Sequence, residues 1–300
     1  MKNVLLVGSN GYIGSALSIQ LRTAGYQVTL VDIGWYNGAD RTDYHTLTSE
    51  FIRPFNVVIL LAGHSSVNSC IGDINSPWVN NVTNFKQLTE LMDSGQTLVY
   101  ASSASVYGNS RPGTMHKESD DNFLPISNYD ITKYALDMQA QLAIAQGKKI
   151  IGLRFGTVNG CSPVLRTDVM INSMYDSAIC NKEIVITNKH ISRAILGIND
   201  LCCAILTCIR YPVVGIYNLS SFNNTVKEIA DAVSRTLDVP IREGKANGPA
   251  YDFALDCSLF SRTFDFTFTD TPVTIVNTLN IGYDSAIKQR RDNYIPYKRK

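Results

Sequence analysis

The sequence predicts an α/β fold, a doubly wound parallel sheet with a smaller lobe built from the C-terminal part of the chain. Three observations predict it. The apolar run at residues 4–7 leads into the turn Gly8-Ser9-Asn10-Gly11-Tyr12-Ile13-Gly14, which opens an alanine- and leucine-bearing segment over residues 15–24. A second apolar run, Val28-Thr29-Leu30-Val31, ends at Asp32, eighteen residues past Gly14. Strand-like and helix-like segments then alternate for about half the chain, the pattern of a parallel sheet covered on both faces.

Each element follows in order. Strand, glycine turn and helix place unpaired helix amides against a pyrophosphate, which makes Gly8, Asn10, Gly11, Tyr12, Ile13 and Gly14 candidate cofactor contacts. An acidic side chain at Asp32 accepts hydrogen bonds from the adenosine ribose and repels a 2′-phosphate, so the expected cofactor is NAD rather than NADP. Residues 57–62 read as a buried strand ending in Gly63; His64, just beyond, is either a substrate or cofactor contact or a histidine bonded to its own loop. Residues 79–92 carry Val82, Phe85, Leu88 and Met92 at helical spacing, and residues 97–101 read as the next strand. A long helix is expected over 128–146, ended by Gly147, and a strand over 149–153.

After Arg154 the alternation loosens. Residues 160–163 read as a loop, with helices expected near 167–180, 200–210, 226–237 and 272–287 and a strand at 215–219. The expected division is a nucleotide-binding Rossmann domain over 1–160 with later returns near 193–220. The substrate lobe takes 161–192 and 221–290, and a basic tail closes the chain over 291–300.

Bulk properties exclude several classes. Of the 300 residues, 45% are hydrophobic and 18% charged, which suits a globular enzyme. A net charge of +1 gives no electrostatic reason to expect a nucleic-acid partner. The seven cysteines form no CxxC pair and the four histidines lie far apart, so no metal is assigned and free thiols in a reducing compartment are expected. The first strand begins at the N-terminus and no apolar run reaches spanning length, so the expectation is a cytoplasmic protein with no membrane contact.

The chemistry is expected at Tyr129-Asp130-Ile131-Thr132-Lys133, where a phenol and an ammonium four residues apart share a helix face. A nearby cation stabilises phenolate and lowers the tyrosine toward neutrality, as an acid/base group requires. The spacing alone is weak, since Tyr294 and Lys298 repeat it across Pro296 with no helical context. Position distinguishes the first pair. It follows Ser102-Ser103-Ala104-Ser105-Val106-Tyr107-Gly108, a serine-rich segment at the carboxyl end of a parallel strand, where ligands bind.

Together these motifs resemble the extended short-chain dehydrogenases/reductases of the NAD-dependent nucleotide-sugar epimerase/dehydratase type. GSNGYIG matches that family's GxxGxxG, YDITK its YxxxK, and SSASVYG resembles the serine turn of UDP-hexose 4-epimerases, which implies Ser103 as the catalytic serine beside Tyr129 and Lys133. Leu60-Leu61-Ala62-Gly63 stands where the family has His-Leu-Ala-Ala, and Asn81-Val82 resembles its Asn-Val cofactor contact. Leu153-Arg154 and Thr157-Val158 follow the stretch that lines the nicotinamide. Asp40 stands either as the adenine contact of relatives or as a surface carboxylate. The pattern Ser162-Pro163, Arg166, Asp168, Asn172 implies an asparagine at the sugar diphosphate, and Arg193 implies a phosphate ligand, a salt bridge being the alternative. Trp35, Tyr36 and Trp78 read as packing residues and His190 as a loop residue.

Departures bear on the reaction. Thr157 and Asn159 replace an asparagine and a tyrosine, and Arg193-Ala194-Ile195-Leu196-Gly197 replaces a commoner RDFIHV. Dehydratases carry an Asp-Glu pair, and decarboxylating members a glutamate, where this chain has Ala104 and Ser105, so both reactions are disfavoured. The resemblance therefore implies an NAD-dependent epimerase of a nucleotide-activated sugar, acting at C4, and a homodimer formed through the helices near 79–92 and 128–146. The alternatives are a keto-sugar reductase or dehydrogenase that exchanges its cofactor, and a non-catalytic NAD sensor or scaffold.

Overall fold

The computed structural model describes residues 2–34, 42–108, 113–121, 123–245 and 250–293. Asp40, Trp35, Tyr36, Tyr294 and Lys298 lie outside them. Six parallel strands form the main sheet in the order Gly215–Leu219, Lys149–Phe155, Thr97–Ser103, Val57–Leu60, Asn3–Val7, Gln27–Val31. The winding direction reverses between Asn3–Val7 and Val57–Leu60. That reversal opens a crevice at the carboxyl ends of these two strands, where the glycine turn begins.

Both sheet faces are covered, as the unbroken apolar runs require. Because side chains alternate along a strand, Leu5, Val58, Leu98 and Tyr100 join Phe85, Leu88, Leu136 and Ala140 on one face. Leu6, Ile59, Val99 and Ile151 join Leu17, Leu21, Leu201 and Ile205 on the other.

The helix expected over 79–92 starts earlier, as Asn75–Trp78, and passes through a π turn at Val79–Thr83 before continuing as Asn84–Leu91. The wider turn brings Asn81 inward, where it is buried. The helix Asn128–Ala145 is launched by a capping box: the Ser127 side chain accepts from the Asp130 N–H and the Asp130 carboxylate accepts from the Ser127 N–H. It ends before Gly147, which takes φ of 88°.

Helices Met170–Asn181, Ile198–Arg210, Val226–Leu237 and Pro272–Asn293 answer the four expected in the later chain, with Ser258–Phe264 in addition. A three-stranded sheet of Phe222–Thr225, Ser192–Gly197 and Thr157–Asn159 was not anticipated. Phe222-Asn223-Asn224-Thr225 is half-buried throughout, so it carries no apolar alternation to read. Among the described residues no helix is long and apolar enough to cross a membrane.

Candidate active site

The glycine turn is shaped by three different demands. Gly8 takes φ of 88°, and a Cβ there would lie 2.5 Å from the Ala62 nitrogen. A Cβ on Gly14 would lie 2.0 Å from the Gly8 carbonyl oxygen, so the helix Tyr12–Thr23 can start this close to the strand only with glycine. A Cβ on Gly11 would meet only the Gly8 carbonyl oxygen, at an ordinary 3.5 Å. Gly11 is also the N-cap, and no side chain caps the helix there. The helix amides are thus left for an anion, and the backbone at Gly11 is open to close approach, as a dinucleotide pyrophosphate requires.

Asp32 stands at the mouth of the crevice. Its carboxylate accepts from the Asn10 N–H and the Gly34 N–H, each at 2.9 Å, fixing it beside the turn. The crevice, a cavity of about 230 Å³, is lined by Gly8, Gly11, Tyr12, Ile13, Gly14, Asp32, Leu61, Ala62, Gly63 and His64, and also by Arg166 and Asn80. The first ten of these were expected from sequence; Arg166 and Asn80, like Thr42, Asp43, Tyr44, Ser65, Ser69, Val164 and Leu165 that complete much of the wall, were not named as site residues. Asn81 lies behind this wall: its Oδ1 accepts from the His64 N–H at 2.9 Å, and its Nδ2 donates to the Thr132 hydroxyl at 3.1 Å. It thereby joins the third strand's loop to the helix that carries Tyr129 and Lys133. The His64 ring is held by Asn80 at 3.2 Å and Ser76 at 3.4 Å, so the loop-bonded reading and a place in the crevice are both realised.

Ser103 ends the fourth strand, and its hydroxyl accepts from the Ser105 N–H at 3.1 Å. The Tyr129 phenol lies close enough to Ser103 for that hydroxyl to favour its ionised form. Lys133 is buried below, its Nζ donating to the Ala101 carbonyl at 2.9 Å and lying 5.9 Å from the centre of the Tyr129 ring. The trio therefore converges at the end of the strand that the sequence indicated.

One electrostatic expectation is corrected. The phenol is not lowered toward neutrality: burial pushes it up to about 12, against the lowering effects of Ser103 and the Arg166 guanidinium. Lys133 does not offset this, because burial also disfavours its own charge, bringing the ammonium down to about 8. The cation whose field favours phenolate is Arg166, which pairs with Asp168 at 2.7 Å. Arg166 belongs to the pattern noted in the sequence, yet nothing in the spacing marks it as a neighbour of Tyr129 or of the crevice.

Of the expected substrate contacts, His64 lines the crevice, whereas Asn172 and Arg193 lie outside its lining. Asn172 is buried and fully engaged: its Oδ1 accepts from the Gly160 N–H at 2.9 Å, and its Nδ2 donates to the Arg166 carbonyl at 2.8 Å and to Tyr12 Oη at 3.2 Å. Its amide builds the wall around Tyr12 and Arg166. Arg193 donates from Nη2 to the Thr157 hydroxyl at 3.1 Å, while its buried Nε has no hydrogen-bond partner. An orphaned guanidinium nitrogen suits an anionic ligand. Val158 is buried beside Thr157.

Residues 4–220 match the NAD dependent epimerase/dehydratase family. A UDP-glucose 4-epimerase of Yersinia pestis is 31% identical over 186 residues, 53% of this chain and 54% of that protein. The chain thus matches about half the length of this curated relative. Among solved structures, a UDP-glucuronic acid 4-epimerase from Bacillus cereus, in complex with UDP-glucuronic acid and NAD, superposes with a TM-score of 0.80 at 19% identity, covering 95% of this chain and 99% of its own. A dTDP-glucose 4,6-dehydratase from Bacillus anthracis, in complex with NAD, superposes equally well at 0.80 and 20% identity, covering 95% and 98%. These two likenesses speak for the shared fold. The family match spans the whole glycine turn, the serine turn and the Tyr129/Lys133 helix, and the chain belongs to the NAD dependent epimerase/dehydratase family.

Proposed function

We propose that this chain is an NAD-dependent epimerase that inverts C4 of a nucleotide-activated sugar. The observation that carries the proposal is the meeting of Ser103, Tyr129 and Lys133 at the carboxyl end of the strand Thr97–Ser103, beside the glycine-turn crevice. Gly8, Asn10, Gly11, Tyr12, Ile13 and Gly14 would hold the pyrophosphate, and Asp32 the adenosine ribose. Leu61, Ala62, Gly63, Asn81, Thr157 and Val158 would flank the rest. Bound NAD supplies reversible two-electron oxidation of the sugar carbinol. Once the charge of the bound ligands favours its phenolate, Tyr129 would take the proton of the C4 hydroxyl; Ser103 orients that hydroxyl and donates to the developing oxyanion. Lys133 would hold the nicotinamide ribose. After the keto-sugar presents its opposite face, Tyr129 returns the proton. Arg193 meets the nucleotide phosphates, with its unpartnered Nε as the free donor.

Dehydration stays the weaker reading, because Ala104 and Ser105 offer no carboxylate beside Ser103. The seven free cysteines fit a reducing, cytoplasmic setting. Exposed apolar residues on the helices near 79–92 and 128–146 fit a homodimer. Incubation with UDP-glucose, UDP-galactose and UDP-glucuronic acid, following epimer formation and reduced-nicotinamide absorbance together, tests the activity. Epimer without net cofactor reduction is expected. Reduced cofactor accumulating without epimer overturns the proposal in favour of a dehydrogenase, and no turnover on the panel favours a sensor.

A further inference from the structure

We propose that Tyr251 is a positioning residue: by donating its hydroxyl to the buried carboxylate of Asp130, it latches the substrate lobe onto the first turn of the helix that presents Tyr129. This rests on the reading of Tyr129 as acid/base. The Tyr251 hydroxyl lies 2.9 Å from both Asp130 oxygens, and 3.4 Å from Ser127 Oγ. Asp130 is fully buried, adjacent in the chain to Tyr129, and already accepts from the N–H groups of Ile126 and Ser127 at 3.0 and 3.1 Å. Tyr251 is its one side-chain donor among the described bonds.

The other end of the latch is tied to the strand that carries Arg193. The Asp252 carboxylate accepts from the Ser192 N–H at 2.8 Å, and the Phe253 N–H donates to the Ser192 carbonyl at 3.2 Å. The Asp252 carboxylate also acts electrostatically on the Arg193 guanidinium. A short chain of contacts thus runs from a candidate phosphate-binding arginine, through residues 251–253, to the N-terminal turn of the Tyr129 helix.

The latch has an electrostatic consequence as well as a mechanical one. The negative charge of Asp130 opposes ionisation of Tyr129. Ser103 and Arg166 favour phenolate, Asp130 and Cys70 oppose it, the Lys133 ammonium lies 5.9 Å from the ring centre, and neutral Tyr251 stands beside Asp130. A hydroxyl donated to the carboxylate disperses its charge and weakens that opposition. Removing the donor should make Tyr129 harder to ionise, and removing the charge should make it easier.

Two variants separate these effects. Tyr251→Phe deletes the donor and keeps the ring; Asp130→Asn keeps an acceptor for the backbone N–H groups and removes the charge. Amide exchange over residues 126–133 is measured on the whole chain with NAD added, and the pH profile of turnover on the sugar nucleotide that the wild type epimerises. Tyr251→Phe is expected to speed exchange in this turn several-fold, lower kcat about tenfold with KM changed less than twofold, and move the acidic limb of kcat to higher pH. Asp130→Asn is expected to move that limb to lower pH. Unchanged exchange in Tyr251→Phe overturns the latch, as do limbs that shift in the same direction or stay still. Absence of wild-type turnover would strike the epimerase reading alone, because faster exchange in Tyr251→Phe would still support the latch and unchanged exchange would still remove it.

Discussion

At Tyr129 and Lys133 two groups are held against their solution preferences, and each gives a test. The phenol, pushed up to about 12, is an idle acid at neutral pH until ligand charge is added, so its hydroxyl should matter to turnover and not to nucleotide binding. Tyr129→Phe should cut turnover on the order of 10²–10⁴-fold, the usual worth of a general acid/base. Isothermal titration should meanwhile give an NAD affinity within about twofold of wild type, taking twofold as negligible on a scale where tenfold is 1.4 kcal/mol. A large loss of NAD affinity would mean that the ring is part of the cofactor wall instead. Lys133 gives a test in stability. Its ammonium is lowered from 10.5 to about 8 in the folded state, so between these pH values the unfolded chain binds more protons than the native one. The burial penalty is therefore full below pH 8 and fades as pH rises to 10.5; at about 1.36 kcal/mol per unit it approaches ~3 kcal/mol at neutral pH. Lys133→Met should lose turnover yet unfold at higher urea than wild type at pH 7, with that advantage shrinking by pH 10. A variant less stable at both pH values would show that the bond to the Ala101 carbonyl outweighs the buried charge.

At the scale of elements, the glycine turn separates what folding demands from what a ligand demands. A methyl on Gly14 strikes the Gly8 carbonyl at 2.0 Å, so Gly14→Ala should destabilise the fold by roughly 1–3 kcal/mol, the cost of overpacking. A methyl on Gly11 finds an ordinary contact, so Gly11→Ala should melt like wild type and still bind NAD more weakly. Equal melting temperatures for the two variants would refute this division. The contrast also marks how far the sequence could be read. GSNGYIG between an apolar strand and a helix, with Asp32 at the next strand's end, was enough to locate the crevice, because each residue acts on its near neighbours. The serine turn and the Tyr129 helix were legible for the same reason. Lys133 finds the Ala101 carbonyl 32 residues away, and Tyr129 feels Arg166 from another loop, so their ionisation is a property of packing that no spacing encodes. The π turn at Val79–Thr83 and the half-polar strand Phe222–Thr225 escaped because neither has a regular apolar period.

At the scale of the whole molecule, a buried polar network holds the Tyr129 helix to the sheet. Arg154 donates from Nε to Asp137 at 2.8 Å and from Nη1 to Tyr107 Oη at 2.8 Å; Tyr100 donates to the other Asp137 oxygen, and Tyr107 to Asn218. Three sheet strands and the helix Asn128–Ala145 thus meet inside the fold, and the outward side of that helix is left for another purpose. Ile131, Met138 and Leu142 are exposed at intervals of seven and four residues, which places them on one stripe. Trp78 and Val79 are exposed on the neighbouring helix, which packs against Asn128–Ala145. A soluble monomer has little reason to present so many large apolar groups together, whereas a two-fold interface covers the same patch on both copies. The proposed homodimer therefore makes its own prediction. Sedimentation at micromolar concentration should give twice the 33.1 kDa chain mass. Met138→Arg with Leu142→Arg should give a folded monomer, since both side chains already face water in the single chain and neither substitution opens a cavity. A wild-type protein that sediments as a monomer across this range, or a double variant that remains dimeric, would overturn the assignment of this face.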